Sequence, residues 1–545
     1  MTVLSVVVPT FNRSRELRRC LEALERQTAD PGCFEVVVVD DGSADDTPET
    51  LAEFSGRLPL HAIRQANRGP SAARNRGIRE ATGELCLFID DDILATPELV
   101  AEHIRGQREG PAIGLGRLDL EMLRAGGLAA HFAEWWNGHY ELFAEGREPD
   151  FWDCFTGNMS VPAATLAEVG GFDEELRRSE DVELGFRLVE AGLRPRYLPR
   201  ARARQRNRKG FRAIARDFDG AGAAAPALWR RHPGMLGYAP LGSFAQGSPA
   251  AVILRRVLLA ARAPTWPLAL VDPLLRRRPP AALYRFLQRY CYWRSLRKAL
   301  GDREAWRRLT RGPVFLMYHA VGSAERASRY ILPERRFRRQ LAWLRLRGRP
   351  VISLDEYVAC RNEGRLPPAR AVVITFDDGY ADTAELAAPL LTARGLHATV
   401  FLVSGRMGGT NDWGTASATT GRPLMSWEQA RELVGRGLAV GAHTQSHPLL
   451  SELNQRQAER EMAASRAAVE EAVGVSVRHF AYPYGERSPD VEATVLELGF
   501  ASAVGIEPGV NDPVVPIERL HRMEVRGTRR LHRFIWDLWR EGRGA

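Results

Sequence analysis

The sequence predicts an α/β protein in which two sheet-bearing domains flank a basic helical segment. Three observations predict it. From residue 3 to about 110, apolar strand-like runs alternate with helix-like stretches. From about 205 to 311 that rhythm stops, and Ala, Arg, Leu and Pro dominate. From Val314 a second alternation begins and continues for about 230 residues. The length of 545 residues, too great for one ordinary core, agrees with roughly two to four domains.

The first alternation opens with a buried-type strand at Val3–Val8. Arg15–Gln27 has helical spacing, with Leu17, Leu21 and Leu24 on one face. Val36–Val39 and Leu85–Ile89 read as further strands, and the order strand, helix, strand predicts a parallel sheet. The middle segment reads as helical. Its arginine pairs beside Val, Leu and Trp form either an interfacial amphipathic surface or a helical extension packed on one of the domains. In the last region, strand-like runs fall at Val314–Met317, Val372–Thr375, Thr399–Leu402, Leu438–Ala442 and His479–Tyr482. Helical segments such as Glu334–Leu346 and Gln455–Val473 separate them, which suggests a barrel-like α/β domain. The boundaries expected are 1–230, 231–311 and 312–545.

Composition narrows the class. Apolar and charged fractions of 45% and 26% are those of a globular chain rather than a disordered one. The net charge of +9 is carried by arginine, since Lys209 and Lys298 are the only lysines. Genomic base composition explains such an excess, and so does attraction to an anionic partner such as a membrane. No zinc-finger, helix-turn-helix or RNA-binding pattern is present, so nucleic acid is not expected. Six scattered cysteines read as free thiols of a reducing compartment. MTVLSVVVPTFNR reads as a first strand rather than a signal peptide. Arg255, Arg256, Arg262 and prolines break the longest apolar stretch, Ala250–Leu275. The expected location is the cytoplasm, with the inner face of the plasma membrane as the place of any membrane contact.

Four chemical features fall at predicted strand ends or helix starts of the first region, where open α/β sheets bind ligands. They are Pro9–Arg13, Asp40-Asp41-Gly42-Ser43, Asp90-Asp91-Asp92 and Ser179-Glu180-Asp181. Adjacent carboxylates at a strand end repel one another. A hard divalent cation such as magnesium or manganese, shared with phosphate oxygens, relieves that repulsion. A solvated acidic turn is the plainer explanation of the triple taken alone, and favourable acid at a helix N-terminus that of Glu180-Asp181.

In order, VVVPTFNR, VVVVDDGSADDT, NRGPSAARNRGI, LFIDDDI, GNMSVPAATLAEVGGFDEEL and SEDVELGFRL resemble family 2 glycosyltransferases with a GT-A fold over about residues 3 to 200. The resemblance implies that Asp41 binds the nucleotide base, with Pro9 and Phe11 lining its pocket. Arg74 then lies near the donor phosphates. Asp90-Asp91-Asp92 matches the family's DXD motif. It implies Asp92 as metal ligand, with Asp91 near the donor sugar or ribose. Asp181 becomes the general base. Members often carry a metal-side histidine after the last core strand; here that stretch is ARARQRNRKGF, with Gln205 at the place.

In the last region, Val372–Thr375 runs into Phe376-Asp377-Asp378-Gly379-Tyr380. About 60 residues on come His443 and His447, four apart. Two histidines and a carboxylate leave an open coordination position, as a catalytic zinc-type site needs. TFDDGY, HTQSHP and RHFAYPYG resemble the polysaccharide deacetylases of carbohydrate esterase family 4, the NodB-like group, from about Pro313 to Val525. The resemblance implies a distorted (β/α) barrel and a divalent metal, zinc or similar, held by Asp378, His443 and His447. Asp377 becomes the general base and Arg478 the residue that orients it. Tyr484 supplies an oxyanion N–H. The motif carrying the general-acid histidine is indistinct, and His521 is taken for it. His319 in MYHAVG reads as structural, with a site role open.

Together these features lead to a bifunctional carbohydrate enzyme. One half transfers sugar from a nucleotide-sugar donor, a UDP-sugar first of all, to a glycan, lipid-linked or small-molecule acceptor. The other deacetylates an N-acetylhexosamine glycan. The alternatives are one catalytic domain beside a glycan-binding module, or a membrane-associated scaffold for envelope polysaccharide assembly.

Overall fold

The computed structural model describes residues 2–123, 127–237, 243–272, 281–323, 328–413 and 419–542. Parts of the expected helical linker, 238–242 and 273–280, lie outside them. The chain divides into two compact units, Met1–Leu228 with Ala261–Ala299, and Trp229–Ala260 with Leu300–Ala545. The basic helical segment is thus shared between the units.

The first unit is built on strands β1 (Leu4–Thr10), β2 (Phe34–Asp40), β3 (Leu60–Arg64), β4 (Leu85–Phe88), β5 (Ile93–Ala95), β6 (Ile113–Met122), β7 (Met159–Pro162) and β8 (Pro195–Asn207). They form one sheet in the order β3-β2-β1-β4-β7-β6-β8-β5. β1, β2, β3 and β4 are mutually parallel where they pair, while β7 runs antiparallel to β4 and β6. Val6, Val7 and Val8 are wholly buried, because helices cover both faces of this part of the sheet. The helix Ser14–Leu24 buries Leu17, Leu21 and Leu24 as its spacing requires. The parallel strands deliver their C-terminal residues to one edge, where Asp41 and Asp90 follow β2 and β4. Gly83 and Gly77 admit no Cβ without collision, with Leu4–Ser5 backbone and with Val7 respectively, which packs strand and helix closely behind that edge.

The second unit holds β9 (Val314–Tyr318), β10 (Ala320–Val321), β11 (Ile331–Leu332), β12 (Val372–Phe376), β13 (Thr399–Leu402), β14 (Ala439–Ala442), β15 (His479–Ala481), β16 (Ser502–Val504) and β17 (Met523–Glu524). Seven of them form a parallel sheet in the order β16-β15-β14-β13-β12-β9-β17, and β10 pairs with β11. A parallel bridge from Val504 to Leu520, just before β17, carries the curvature toward closure. The result is a half-barrel of parallel strands, in keeping with the barrel-like expectation. Its core runs from Val314, Leu316 and Ile374 through Val400 and Phe480 to Phe534. Asp377, His443 and Tyr482 all follow strands at the C-terminal rim.

Candidate functional sites

In the first unit the acidic triple follows β4. Each of its carboxylates has a side-chain donor. Arg74 Nη2 donates to Asp90 at 2.8 Å, and Thr10 Oγ1 donates to Asp91 at 2.8 Å. Arg13 Nη2 and Gln205 Nε2 donate to the two oxygens of Asp92 at 2.7 and 2.9 Å. Arg13 also lies 3.1 Å from Asp91. Arg13 and Thr10 fall in or beside the run after β1 and Gln205 at the metal-side position, but their contacts with the triple arise from the pairing of β1 with β4 and of β5 with β8. Burial pushes the Asp91 carboxyl up to about 7, with Asp92 and Asp90 adding to it against Arg13 and Thr10. Negative charge is therefore undercompensated here. Asp90 and Asp92 face a cavity of about 460 Å³. Hard oxygen donors in excess, facing open volume, fit a divalent cation.

Arg74 is nearly buried and links this cluster to the base candidate. Besides Asp90, it donates to Glu180 at 3.1 Å, on the helix Glu180–Glu190. Burial opposes its charge, but Asp90 and Glu180 outweigh that and raise its pKa. Asp181 sits beside Glu180. Burial and then Glu180 push its carboxyl up to about 7, against the Val182 N–H and Arg74. Ser179, just before it, has φ of 60°, a strained turn at the helix entrance. Asp41 is buried and accepts from Gln65 Nε2, Arg68 N and Gly69 N at 2.8, 3.0 and 2.8 Å, so it shapes the loop after β3. Pro9 is half-buried on β1, and Phe11 beside it is exposed.

In the second unit the site is tighter. One ligand atom from each of Asp378, His443 and His447 lies within 4.8 Å of the others. Both histidine Nε2 atoms stand 3.5 Å from Asp378 Oδ1. That is close to the edge of a tetrahedron with bonds of about 2.1 Å. His443 Nδ1 lies 2.7 Å from the Ala481 carbonyl, which fixes the tautomer that turns a bare Nε2 inward. The residues fit a divalent ion. His447 is stacked against Trp413, with ring centroids 4.6 Å apart, and touches Tyr484 edge-on at 4.7 Å. Burial and the neighbouring His443 lower the His447 pKa to about 3, which keeps its ring neutral, as a ligand must be. Asp378, Thr444, His447 and Tyr484 all have positive φ, at 70°, 64°, 64° and 57°. Non-glycine residues pay about 1–2 kcal/mol for that conformation, so the fold stores strain at this rim.

Two assignments need correction. Arg478 does not reach Asp377. It pairs with Asp355 at 2.6 Å, half-exposed, because it stands at the N-terminal end of β15 while Asp377 follows the C-terminal end of the parallel β12. Arg522 takes the place instead. Its Nη1 and Nη2 donate to Asp377 Oδ1 and Oδ2 at 2.6 and 2.7 Å, and its Nε to the Gly505 carbonyl at 2.7 Å, all fully buried. Burial opposes ionisation of Asp377, yet Arg522 and then His443 outweigh it and hold the carboxyl below its ordinary value.

His521 is the second. It stands beside Arg522, just before β17. It is not among the residues lining the catalytic cavity of about 530 Å³, and its peptide is fastened to Asn511. His319, at the end of β9, lines that cavity with Asp377, Asp378, His443 and His447. Nothing in the local sequence marks Arg522 itself.

Comparison with known proteins agrees with the division into two kinds of domain. Residues 5–156 match Glycosyl transferase family 2, and residues 364–503 match Polysaccharide deacetylase. The chain thus carries a family 2 glycosyltransferase domain and a polysaccharide deacetylase domain. Validoxylamine A glucosyltransferase of Streptomyces hygroscopicus subsp. limoneus is 36% identical over 223 residues, 35% of this chain and 49% of that one. Pre-mycofactocin glycosyltransferase of Mycobacterium tuberculosis is 33% identical, over 42% of this chain and 48% of its own. The chain spans about half the length of these transferases. YxkH of Bacillus subtilis, named as a polysaccharide deacetylase, is 26% identical over 42% of this chain and 78% of its own. Among solved structures, IcaB from Ammonifex degensii aligns at 29% identity and TM-score 0.35, over 39% of this chain and 91% of its own.

Proposed function

We propose that the chain is a bifunctional enzyme that adds a sugar and removes an acetyl group. The first unit transfers a sugar from a nucleotide sugar, a UDP-sugar by preference, with inversion, to a glycan, lipid-linked or small-molecule acceptor. The second hydrolyses the N-acetyl group of an N-acetylhexosamine glycan. The observation that carries the second activity is the pairing of Asp377 with Arg522 beside the Asp378–His443–His447 triad. A glycan-binding module has no use for a carboxylate clamped by a buried guanidinium next to an open metal site.

In the transferase, Asp181 takes the proton of the acceptor hydroxyl, a task its raised pKa suits. Asp92, with Asp90 and Asp91 around it, would hold magnesium or manganese, which neutralises leaving phosphate charge. Arg74 keeps the acidic triple and the base helix in register. Asp41, Pro9 and Phe11 are assigned to the nucleotide base. In the deacetylase, Asp378, His443 and His447 would hold zinc or a similar ion, which supplies carbonyl polarisation and water activation. Asp377, kept ionised by Arg522, takes the proton of the attacking water. The Tyr484 peptide is assigned to the developing oxyanion. His319, which lines the cavity, is assigned to give a proton to the leaving amine in place of His521.

Contact with an anionic membrane is part of the same reading. Ile253, Leu254 and Val257 on the helix Pro249–Ala260 are 48%, 48% and 57% exposed. Between Pro249 and Ala299 there are eleven arginines and lysines against one acid, Asp272. Exposed apolar side chains with basic flanks suit an interfacial segment. No helix among the described residues is long and apolar enough to span a membrane. Flotation with phosphatidylserine vesicles, lost in I253S/L254S/V257S, is the expected result.

The deciding experiment is a mass-spectrometric product assay. Full-length protein receives magnesium or manganese, a panel of nucleotide sugars and an acceptor extract, with Asp377→Ala in parallel. Wild type should yield an added, deacetylated hexosamine, and the variant the same product still acetylated. Sugar addition without deacetylation by wild type would make the second unit passive.

A further inference from the structure

An arginine ladder runs along β8 and on to Arg208, just past the strand's end. Arg202, Arg204 and Arg206 are exposed, alternating with buried Ala201, Ala203 and Asn207, as strand periodicity demands. The neighbouring β6 answers the lower rungs. Arg202 pairs with Asp119 at 2.7 Å and Arg206 with Glu121 at 3.4 Å, across the parallel register of the two strands. After Glu121 the acids run out, while the arginines continue to Arg208. Among the described residues, Arg208 makes no ion pair, and neither does Arg19 on the helix Ser14–Leu24. The two meet at one place. Arg19, Leu123, Arg206 and Arg208 line a cavity of about 400 Å³, with no carboxylate on its wall among the described residues. It shares Arg19, Arg206 and Arg208 with the larger cavity in front of Asp90 and Asp92.

Three guanidinium groups share one concave wall and only Arg206 has a carboxylate, Glu121, so the wall keeps a net positive charge that an anion would relieve. Their forked donors suit phosphate oxygens. The cavity also lies on the β5/β8 side of the acidic triple, whereas Asp41, Pro9 and Phe11 stand at β1 and β2 on the other side. We propose that Arg19, Arg206 and Arg208 form a phosphate-binding subsite for the acceptor, so that the transferase glycosylates a phosphate-bearing molecule. The proposal rests on the transfer reading and adds the acceptor's chemistry to it.

The test uses the full chain, inorganic tripolyphosphate as probe, and calorimetric titration with magnesium in excess, both with and without saturating UDP. UDP-loaded wild type should bind tripolyphosphate. Arg19→Gln/Arg208→Gln should weaken that binding about tenfold while leaving UDP affinity unchanged. Arg204→Gln, a rung outside both cavities, should have no effect, and Arg19→Lys/Arg208→Lys should retain most of the binding. Thermal midpoints check that the variants fold. No tripolyphosphate binding to UDP-loaded wild type overturns the proposal, as does an equal loss in Arg204→Gln. A parallel loss of UDP affinity also overturns it, by giving the pair to the donor. Failure of wild type to bind UDP counts against the nucleotide-sugar reading instead, and the comparison in nucleotide-free protein still decides the subsite. Displacement of the probe by phosphatidic acid vesicles places the phosphate on a lipid; displacement by glycerol 3-phosphate places it on a soluble acceptor.

Discussion

Asp181, half-buried, and Asp377, buried, are carboxylates proposed as general bases, one in each unit, and their surroundings act on them in opposite directions. Asp181 has a second acid beside it and no cation on its own oxygens, so burial prevails and its carboxyl rises to about 7. Asp377 has a buried guanidinium on both oxygens, so it stays ionised although it is the more deeply buried of the two. The difference matches the two tasks. A base that takes a sugar hydroxyl proton as the bond forms gains from a pKa near the working pH. A base beside a metal must be ionised before water arrives, and a fixed cation secures that.

The largest effect expected is the separation of the two activities. Asp377→Ala should reduce acetate release by about 10²–10⁴ and leave sugar transfer unchanged; Asp181→Asn should do the reverse. Loss of both activities in either variant, with folding intact, would show that the units depend on each other. His319→Ala should lower acetate release by about 10²-fold, with His521→Ala close to wild type. The opposite order would return the acid role to His521.

Arg522 comes next. Arg522→Met leaves Asp377 buried and unpaired, which should cost about 3–5 kcal/mol of second-unit stability. Denaturant unfolding measures it. A loss below 1 kcal/mol, roughly that of an exposed pair, would mean that Asp377 is not held as the structure shows.

Asp181 should have a smaller effect on stability, and one that depends on pH. Its folded pKa lies above the ordinary value of 3.8. The stability it contributes is therefore full below that ordinary value and is lost as pH rises through about 7. Asp181→Asn should match wild type near pH 4 and exceed it above pH 7, by roughly 2 kcal/mol or about 5 °C in first-unit Tm. A difference that does not vary with pH would mean Asp181 is ionised throughout.

Most of this arrangement was legible in the sequence, for reasons that differ by residue. Asp41, Asp90–Asp92, Asp377 and His443 stand immediately after apolar strands, so local pattern places them on the binding edge. A spacing of four suggested one helical turn for His443 and His447, whereas a non-helical turn with positive φ at Thr444 and His447 brings them together. The contacts missed are all long-range. Arg13 meets Asp92 across 79 positions, Gln205 meets Asp92 across 113, and Arg522 meets Asp377 across 145. Such pairs depend on strand order and register, which hydrophobic period does not encode. The helical middle was visible as helix, but its division between the two units depends on packing that composition does not report.

Arg478 is the sharpest case, and its variant should do least. It follows a helix and precedes His479 in a motif-like run, yet that run enters β15 from the end of the barrel away from the metal triad. Its partner Asp355 is itself 42% exposed and is also approached by His479 at 3.2 Å, so removing one cation leaves the carboxylate solvated and still partnered. Exposed pairs of this kind are worth at most about 1 kcal/mol. Arg478→Ala should therefore change second-unit stability by less than that and acetate release by less than about twofold, at low and high salt alike. A loss of acetate release comparable to that of Arg522→Met would mean that Arg478 acts on Asp377 in solution after all, and that the two arginines exchange places as the substrate binds.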